Sequence, residues 1–469
     1  MKGMQKPMKS ILSAAILSAM ATGAHAAGFS LYTESSAAAT GNFAAGIAAE
    51  GYDASIGWYN PAGLVLIRDQ QAVFGGVGVF PGAKLSGNTA FATVIAPGLT
   101  STYRQSFSDI KGEVDAFVPS FHYALPLGEN ATFGVSVTSP YGLATDWSTF
   151  YPTRYAATFT ELITTNISPQ IGGRITEHFA LGAGVDLQYA RVKFNSIIGA
   201  PAFLQFIGAN PMLFDSYSYN KGDSFGTGFH VGALAMFNDN NTRIGLNYQS
   251  VMHHEFHGYS TLTGRLASGP ALDNHNASFT SDILFSNPIE LPDVVTLSGF
   301  HHLNDKVDLL ASVVYTGWHT VRNIQLNNVA AFSLALERQV LVNSTSTENY
   351  DNAWRFAVGA NYHVNDVFMI RVGGGYDETP TQDAFRTIRL PDADRWALSV
   401  GAHYQWRPNL GVDVGYTHLF ADDVLINKTV TAGPGSTFNV NATGKARADL
   451  LGAQLVWMID QPAPVPAGK

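Results

Sequence analysis

The chain of 469 residues contains no cysteine. That excludes a disulfide framework and any thiolate metal site. It also carries little charge: Asp, Glu, Lys and Arg make up 13% of it, about half the roughly 25% of an ordinary soluble domain. The formal net charge of −9 argues against nucleic acid as a partner, because a phosphate backbone is held by an excess of Lys and Arg. Long apolar runs are missing too. Beyond the N-terminal segment, no stretch reaches the ~20 residues that a spanning helix needs. Glycine, with 46 residues, and aromatics, at 12%, are plentiful. Low charge, abundant Gly, Tyr and Phe and no spanning helix point to an outer-membrane β-barrel, which satisfies its backbone hydrogen bonds in lipid by closing a sheet on itself.

The first 26 residues read as a secretory signal peptide. Lys2, Lys6 and Lys9 give a basic start, Ile11 to Met20 an apolar stretch, and Ala24-His25-Ala26 a small-x-small cleavage site. Cleavage is expected before Ala27, with export to the outer membrane of a Gram-negative bacterium. At the other end, residues 460–469 form a Pro-rich tail expected to be extended and disordered.

Between these ends the chain divides unevenly. Residues 27–68 are rich in Ala, Gly and Ser and end in Tyr59-Asn60-Pro61-Ala62-Gly63. They show neither helical periodicity nor strict alternation. Such a segment cannot build a core of its own, yet it is too apolar for a free linker. It reads as a hatch that plugs the lumen of the barrel made by residues 69–459. As an isolated motif, Asn-Pro reads as a plain turn signal.

Alternation is clearest from Trp396 to Trp406, where every second residue is apolar and the intervening Ala397, Ser399, Gly401, His403 and Gln405 are small or polar. Strands are expected near 70–82, 114–125, 131–140, 164–176, 179–195, 223–237, 242–258, 291–303, 307–318, 352–364, 367–378, 394–406, 409–421 and 445–459. That makes about fourteen, an even number, as bacterial barrels require. Short turns, such as Asn304-Asp305 and Asn365-Asp366, alternate with long loops near 83–113, 141–163, 196–222, 259–290, 319–351, 379–393 and 422–444. This is the pattern of an all-β, up-and-down antiparallel transmembrane barrel with both ends in the periplasm.

Several stretches then resemble one family. They are Ala27-Gly28-Phe29, Asn60-Pro61-Ala62, Ser139-Pro-Tyr-Gly-Leu-Ala-Thr145, Tyr189-Ala-Arg191 and Gly375-Tyr-Asp-Glu-Thr-Pro380, followed by Leu390-Pro-Asp-Ala-Asp-Arg395. In this order they resemble the long-chain fatty acid transporter (FadL-type) family of outer-membrane proteins, which includes importers of aromatic hydrocarbons. The resemblance implies a fourteen-stranded barrel with an N-terminal hatch and passive uptake of a hydrophobic ligand. Ligand would be captured by outer loops, bound inside the barrel and released sideways into the membrane. By the same resemblance Phe29 reaches into the ligand site, Arg191 holds a carboxylate, Asn60, Pro61 and Ala62 form the gate of the hatch, and Pro140 and Gly142 mark the lateral opening. The family's second basic position falls near Tyr350, which is uncharged and leaves room for an uncharged hydrocarbon.

Each of these residues has a plainer reading. Phe29 is a hydrophobic anchor, Arg191 a lumenal arginine paired with an acidic neighbour, and Pro140 with Gly142 a strand end. Loop 196–222 carries Phe203, Phe206, Leu213 and Phe214, which form either a capture groove or loop helices packed on themselves. His253, His254, Glu255 and His257 mimic a metal cluster. On a strand, however, His253, Glu255 and His257 share one face and His254 the other, and no metal or other cofactor is expected. No catalytic residues are assigned, since neither a GxSxG elbow nor a phosphate loop occurs. The expected partners are a long-chain fatty acid or other hydrophobic small molecule and outer-membrane lipid, with the protein a monomer. An outer-membrane lipase-like barrel enzyme, an adhesive barrel and a general porin remain as other classes.

Overall fold

Lipid admits no unpaired strand edge, so an alternating chain of this kind must close on itself. In the computed structural model, which describes residues 28–459, it does so with fourteen strands. They are β1 (Gln71–Ala96), β2 (Ala116–Pro126), β3 (Ala131–Thr138), β4 (Phe159–Thr176), β5 (Phe179–Phe194), β6 (Ser216–Phe237) and β7 (Thr242–Gln249). The second half comprises β8 (Val294–Asn304), β9 (Val307–Thr316), β10 (Ala353–Asn365), β11 (Phe368–Asp377), β12 (Arg395–Arg407), β13 (Leu410–Gly433) and β14 (Ser436–Met458). Each pairs antiparallel with its neighbours, and β1 joins β14 from Gln71↔Met458 to Thr93↔Ser436. All fourteen predicted strands are present in the predicted order. The stretches expected as signal peptide and as Pro-rich tail fall outside the described residues.

Alternation sets the two faces. On β12, Trp396, Leu398 and Val400 point outward and are exposed, while Ala397, Ser399 and Gly401 point inward and are buried. The outward residues form the apolar band that lipid covers.

Several stretches expected as long loops are strands instead. The 83–113 loop is the outer half of β1 with the arm Leu99–Lys111. The 422–444 loop is the outer parts of β13 and β14. Above the membrane a strand needs no lipid-facing apolar face, so its sequence loses the alternation that marks it lower down.

Residues 28–68 are buried almost throughout and run as short 3-10 turns with one α-helical turn, Ile56–Tyr59, without a ladder of their own. Their backbone groups are met by inward polar side chains from around the wall. Ser312 Oγ donates to the Ala44 carbonyl at 3.1 Å, and Thr417 Oγ1 donates to that of Thr40 at 2.6 Å. Arg243 donates to the Glu50 carbonyl at 2.7 Å and Gln249 to that of Trp58 at 3.1 Å. Ala38 N–H donates to Gln454 Oε1 at 3.1 Å. Glycine lets the wall come close enough: a Cβ at Gly245 would lie 1.9 Å from the Ala48 carbonyl oxygen, and one at Gly232 2.0 Å from Asn60 Oδ1.

The wall is interrupted twice. Strand β3 stops at Thr138, and the chain resumes as Gly142–Asp146 paired with β4 alone, which leaves β2 residues 116–120 without a partner on that side. The run 242–258, expected as one strand, breaks as well. After β7 it becomes the short strand Met252–His254, which pairs with Ile289–Leu291, and then His257–Thr263, which rejoins β6. Within 250–256 strict alternation lapses, with Val251 and Met252 both apolar and His253, His254 and Glu255 all polar, and the bend falls there.

The glycine contacts generate a test. Gly245→Val should leave the barrel closed but push the 28–68 segment off the wall, at about 1–3 kcal/mol for an overpacked contact. Limited proteolysis of the folded variant should cut within this segment under conditions where the parent resists. Equal resistance would show that the segment does not depend on this close approach.

Candidate functional site

The first break supplies a strand edge, and the N-terminal residues occupy it. Leu31 N–H donates to the Pro140 carbonyl and Gly142 N–H to that of Phe29, both at 2.8 Å, with Ser30 bridged to Tyr141. This pairing sets Phe29 among aromatic rings. Its centroid lies 4.6 Å from Trp318, 6.1 Å from Tyr141 and 6.4 Å from Tyr350. Leu143, Leu162, Val192 and Leu390 complete one side of the cluster. Met252, Phe256, Ile289 and Leu291 complete the other, and all four come from the second break. Both interruptions of the wall therefore feed one buried apolar cluster beside the N-terminus.

The cluster has a polar margin. Arg389 lies over the Phe194 ring at 5.3 Å and donates to Thr160 Oγ1 and to the Ala156 carbonyl, both at 2.9 Å. Burial lowers its pKa to about 10, with Glu348 opposing the shift. Glu348 is itself buried, which raises its pKa against the pull of Lys428 and Arg389. Asp392 accepts from Gly28 N–H at 2.7 Å and from Thr379 at 2.5 Å. A cation beside an apolar cluster can hold the carboxylate of an otherwise hydrophobic molecule.

The residues singled out in the sequence take up different positions. Phe29 is at the centre of the cluster. Pro140 and Gly142 frame the first break, and a Cβ at Gly142 would meet Leu31 Cδ1 at 2.8 Å. Asn60 caps the 3-10 helix Pro61–Leu66: its Oδ1 accepts from Ala62 N–H at 3.1 Å, and its Nδ2 donates to the carbonyls of Ala48 and Ala233. Pro61 and Ala62 are buried against the wall.

Arg191 is not at the cluster, and the lumenal position expected for it does not hold. On β5 the odd residues Val185, Leu187 and Tyr189 face outward, whereas Ala190 and Val192 face the lumen. Arg191 follows the odd set. It pairs with Glu161 at 3.1 Å, and Lys193 shares the same carboxylate at 3.0 Å. Phe203, Phe206, Leu213 and Phe214 stay with their loop. Phe206 and Leu213 are exposed, and Phe214 packs on a separate cluster around Leu262 and Leu266. The outer His and Glu residues divide as expected: His254 is buried, with Nε2 3.0 Å from Gln188 Oε1, while His253, Glu255 and His257 are exposed.

Sequence reasoning missed Trp318, Met252, Phe256, Arg389 and Glu348 as site residues. Each lies in a stretch read as loop or as an unbroken strand, and only the closure of the barrel brings them together.

Residues 17–457 match the family model described as outer membrane protein transport protein (OMPP1/FadL/TodX). The chain is similar to outer membrane protein P1 of Haemophilus influenzae, with 30% identity over 96% of this chain and 99% of that one. It is similar to the long-chain fatty acid transport protein of Salmonella typhi, with 27% identity over 90% and 93%. Its fold is similar to the crystal structure of a Pseudomonas aeruginosa FadL homologue, at a TM-score of 0.77 and 22% identity, covering 92% of this chain and all of the other.

Glu34, close behind Phe29, offers a pH test. It is buried, and desolvation raises its pKa to about 7, with Arg355 and Arg395 opposing. The docked segment therefore holds this proton more tightly than a released one. The stabilisation, up to about 3 kcal/mol, is fully present below pH ~4.5 and lost as pH rises through about 7. Hydrogen exchange of residues 28–41, corrected for intrinsic rates, should show protection falling across that window, and Glu34→Gln should flatten the profile. A Glu34→Gln variant with an unchanged profile would assign the pH dependence to another group.

Proposed function

The chain belongs to the outer membrane transport protein (OMPP1/FadL/TodX) family, and from that premise we propose that it is a passive uptake channel for long-chain fatty acids or similarly hydrophobic molecules. One observation carries the reading: residues 29–31 both close the first wall break and place Phe29 in the apolar cluster. Ligand that takes the place of Phe29 pulls on the backbone that seals the wall. Binding and opening are then one movement.

The route follows from solvation. Each CH₂ that leaves an apolar phase for water costs about 0.8 kcal/mol, so exit into the bilayer is favoured over exit into the aqueous periplasm. The break at residues 139–141 is on that route. The segment 28–68, held by Asn60 and by the wall side chains, acts as the hatch that bars a straight channel. Exposed apolar residues such as Phe206 and Leu213 on the outer loop are suited to first capture.

Arg389, not Arg191, is the cation that would hold a carboxylate, because it lies on the lumenal side against Phe194. The aromatic surround of Phe29 also suits an uncharged ring compound. An enzymatic role finds no support in the buried histidines. His230 pairs with Asp186 at 2.9 Å, but its other ring nitrogen lies 2.8 Å from Gln170 Oε1. His122 Nδ1 lies 3.0 Å from Ser136 Oγ, but its Nε2 meets the Ser35 carbonyl at 3.0 Å rather than a carboxylate.

Two experiments test this reading. The cysteine-free chain allows Ser30→Cys with Tyr141→Cys. Bridged antiparallel partners sit about 4.5–5.5 Å apart at Cα, within reach of a disulfide. The oxidised protein should fail to take up labelled oleate in whole cells and recover on reduction; unimpaired uptake with the bond formed would exclude this exit. Arg389→Ala should weaken oleate binding by about 1.5–3 kcal/mol, the range for a charged hydrogen bond, while Arg191→Ala and an uncharged hydrocarbon ligand show little change. The reverse ranking by calorimetry would return the carboxylate to Arg191.

A further inference from the structure

The second break in the wall has an outer side as well as an inner one. Between Asp223↔His257 and His230↔Gln249, β6 residues 224–229 have no ladder partners on the side of the following strand. Phe229 turns its N–H and C=O toward Ser250, at 2.9 Å in each case. Alternate residues of an antiparallel strand point both groups the same way. Phe225 and Thr227 therefore direct theirs into the same interruption. Over this stretch the next strand has withdrawn into the lumen: Cβ atoms built on Gly226 and Gly228, which face inward, would meet His253 and Met252.

The withdrawal leaves a recess of about 510 Å³ on the outer wall, lined by Asp223, Ser224, Phe225, His253, Glu255 and His257 among others. Its size is that of a small-molecule site. Phe225, 63% exposed, stands at its lip in line with the outward Phe229, Val231 and Phe237, so the recess opens onto the lipid-facing stripe of β6. Its other side is polar. His253 lies 3.3 Å from Glu290 and His257 3.5 Å from Glu255, pairs loose enough to be exchanged for a ligand. Among the described residues no three such side chains are placed to hold a metal ion. Asp223 and Glu255 line the recess and Glu290 backs His253, whereas no Lys or Arg lines it. At the edge of lipid, strand groups such as those of Phe225 and Thr227 need a hydrogen-bonding occupant.

We propose that this recess is a second ligand site, for a single-chain amphiphile whose head forms hydrogen bonds and carries no negative charge, such as a long-chain alcohol or alkylamine. The tail lies along Phe225 and Phe229. The head takes the backbone groups of Phe225 and Thr227 and exchanges with the His253–Glu290 and His257–Glu255 pairs. The carboxylates exclude a fatty-acid anion, so this site rejects the head-group charge that Arg389 would take inside. The inference does not depend on the transport reading.

The absence of native cysteine makes the test direct. Ser224→Cys, in protein reconstituted into nanodiscs, reports the recess by its rate of reaction with a soluble maleimide. Pro288→Cys, on the same recess, gives an independent reporter should Ser224→Cys be slow by itself. Dodecylamine and dodecanol should slow labelling by roughly tenfold at ten times their dissociation constants, and dodecanoate at the same concentration should not. Glu255→Gln combined with Glu290→Gln should admit dodecanoate. Equal protection by dodecanoate in the parent chain would overturn the head-group assignment, and no protection by any of the three at either reporter would overturn the site.

Discussion

An irregular chain segment inside a sheet closed in lipid must find partners for its backbone groups, and most of the structure follows from that constraint. Residues 28–68 make no ladder. Their carbonyls and N–H groups are satisfied by Ser312, Thr417, Arg243, Gln249 and Gln454, which project from strands around the wall. The inward face of the barrel is therefore polar, and at the closest approaches it is glycine. A lumen of this kind accounts for the glycine content of the chain, and the charges it does hold are paired, as Arg371 is with Asp413.

The same constraint locates the apolar cluster. Wherever the ladder of the wall stops, backbone groups are left over, and in both places another piece of chain is drawn in. At the first break it is the N-terminus, through Leu31 and Phe29. At the second it is the pair of short strands Met252–His254 and Ile289–Leu291. Each inserted piece carries large apolar side chains inward, and these meet around Trp318 and Tyr350. A pocket built from inserted pieces can be opened by removing one of them, which an unbroken wall does not allow.

Charge is distributed by parity. One residue along a strand exchanges lumen for lipid face, so Arg191, next to the inward Val192, serves the outer surface, where Glu161 balances it together with Lys193. Arg389, on a connection between β11 and β12, is free of that alternation and reaches the inner cluster from above.

The sequence by itself determined the architecture. Period-two alternation, short turns alternating with long connections and an even strand count follow from lipid and backbone hydrogen bonding alone. They were legible in runs such as Trp396 to Trp406 and in turns such as Asn304-Asp305. Phe29, Asn60, Pro140 and Gly142 stood out through resemblance to the family, with the turn and strand-end character of proline and glycine as the only local signal. Only the tertiary structure decided the rest. Arg191 lies on the outer face because β5 keeps its register past Ala190. The run at 250–256 bends inward because its partners on β6 are lost and those on 289–291 are gained. Trp318, Phe256 and Arg389 meet because fourteen strands close into a ring. Contacts between residues so far apart in the chain leave no period for a sequence to display.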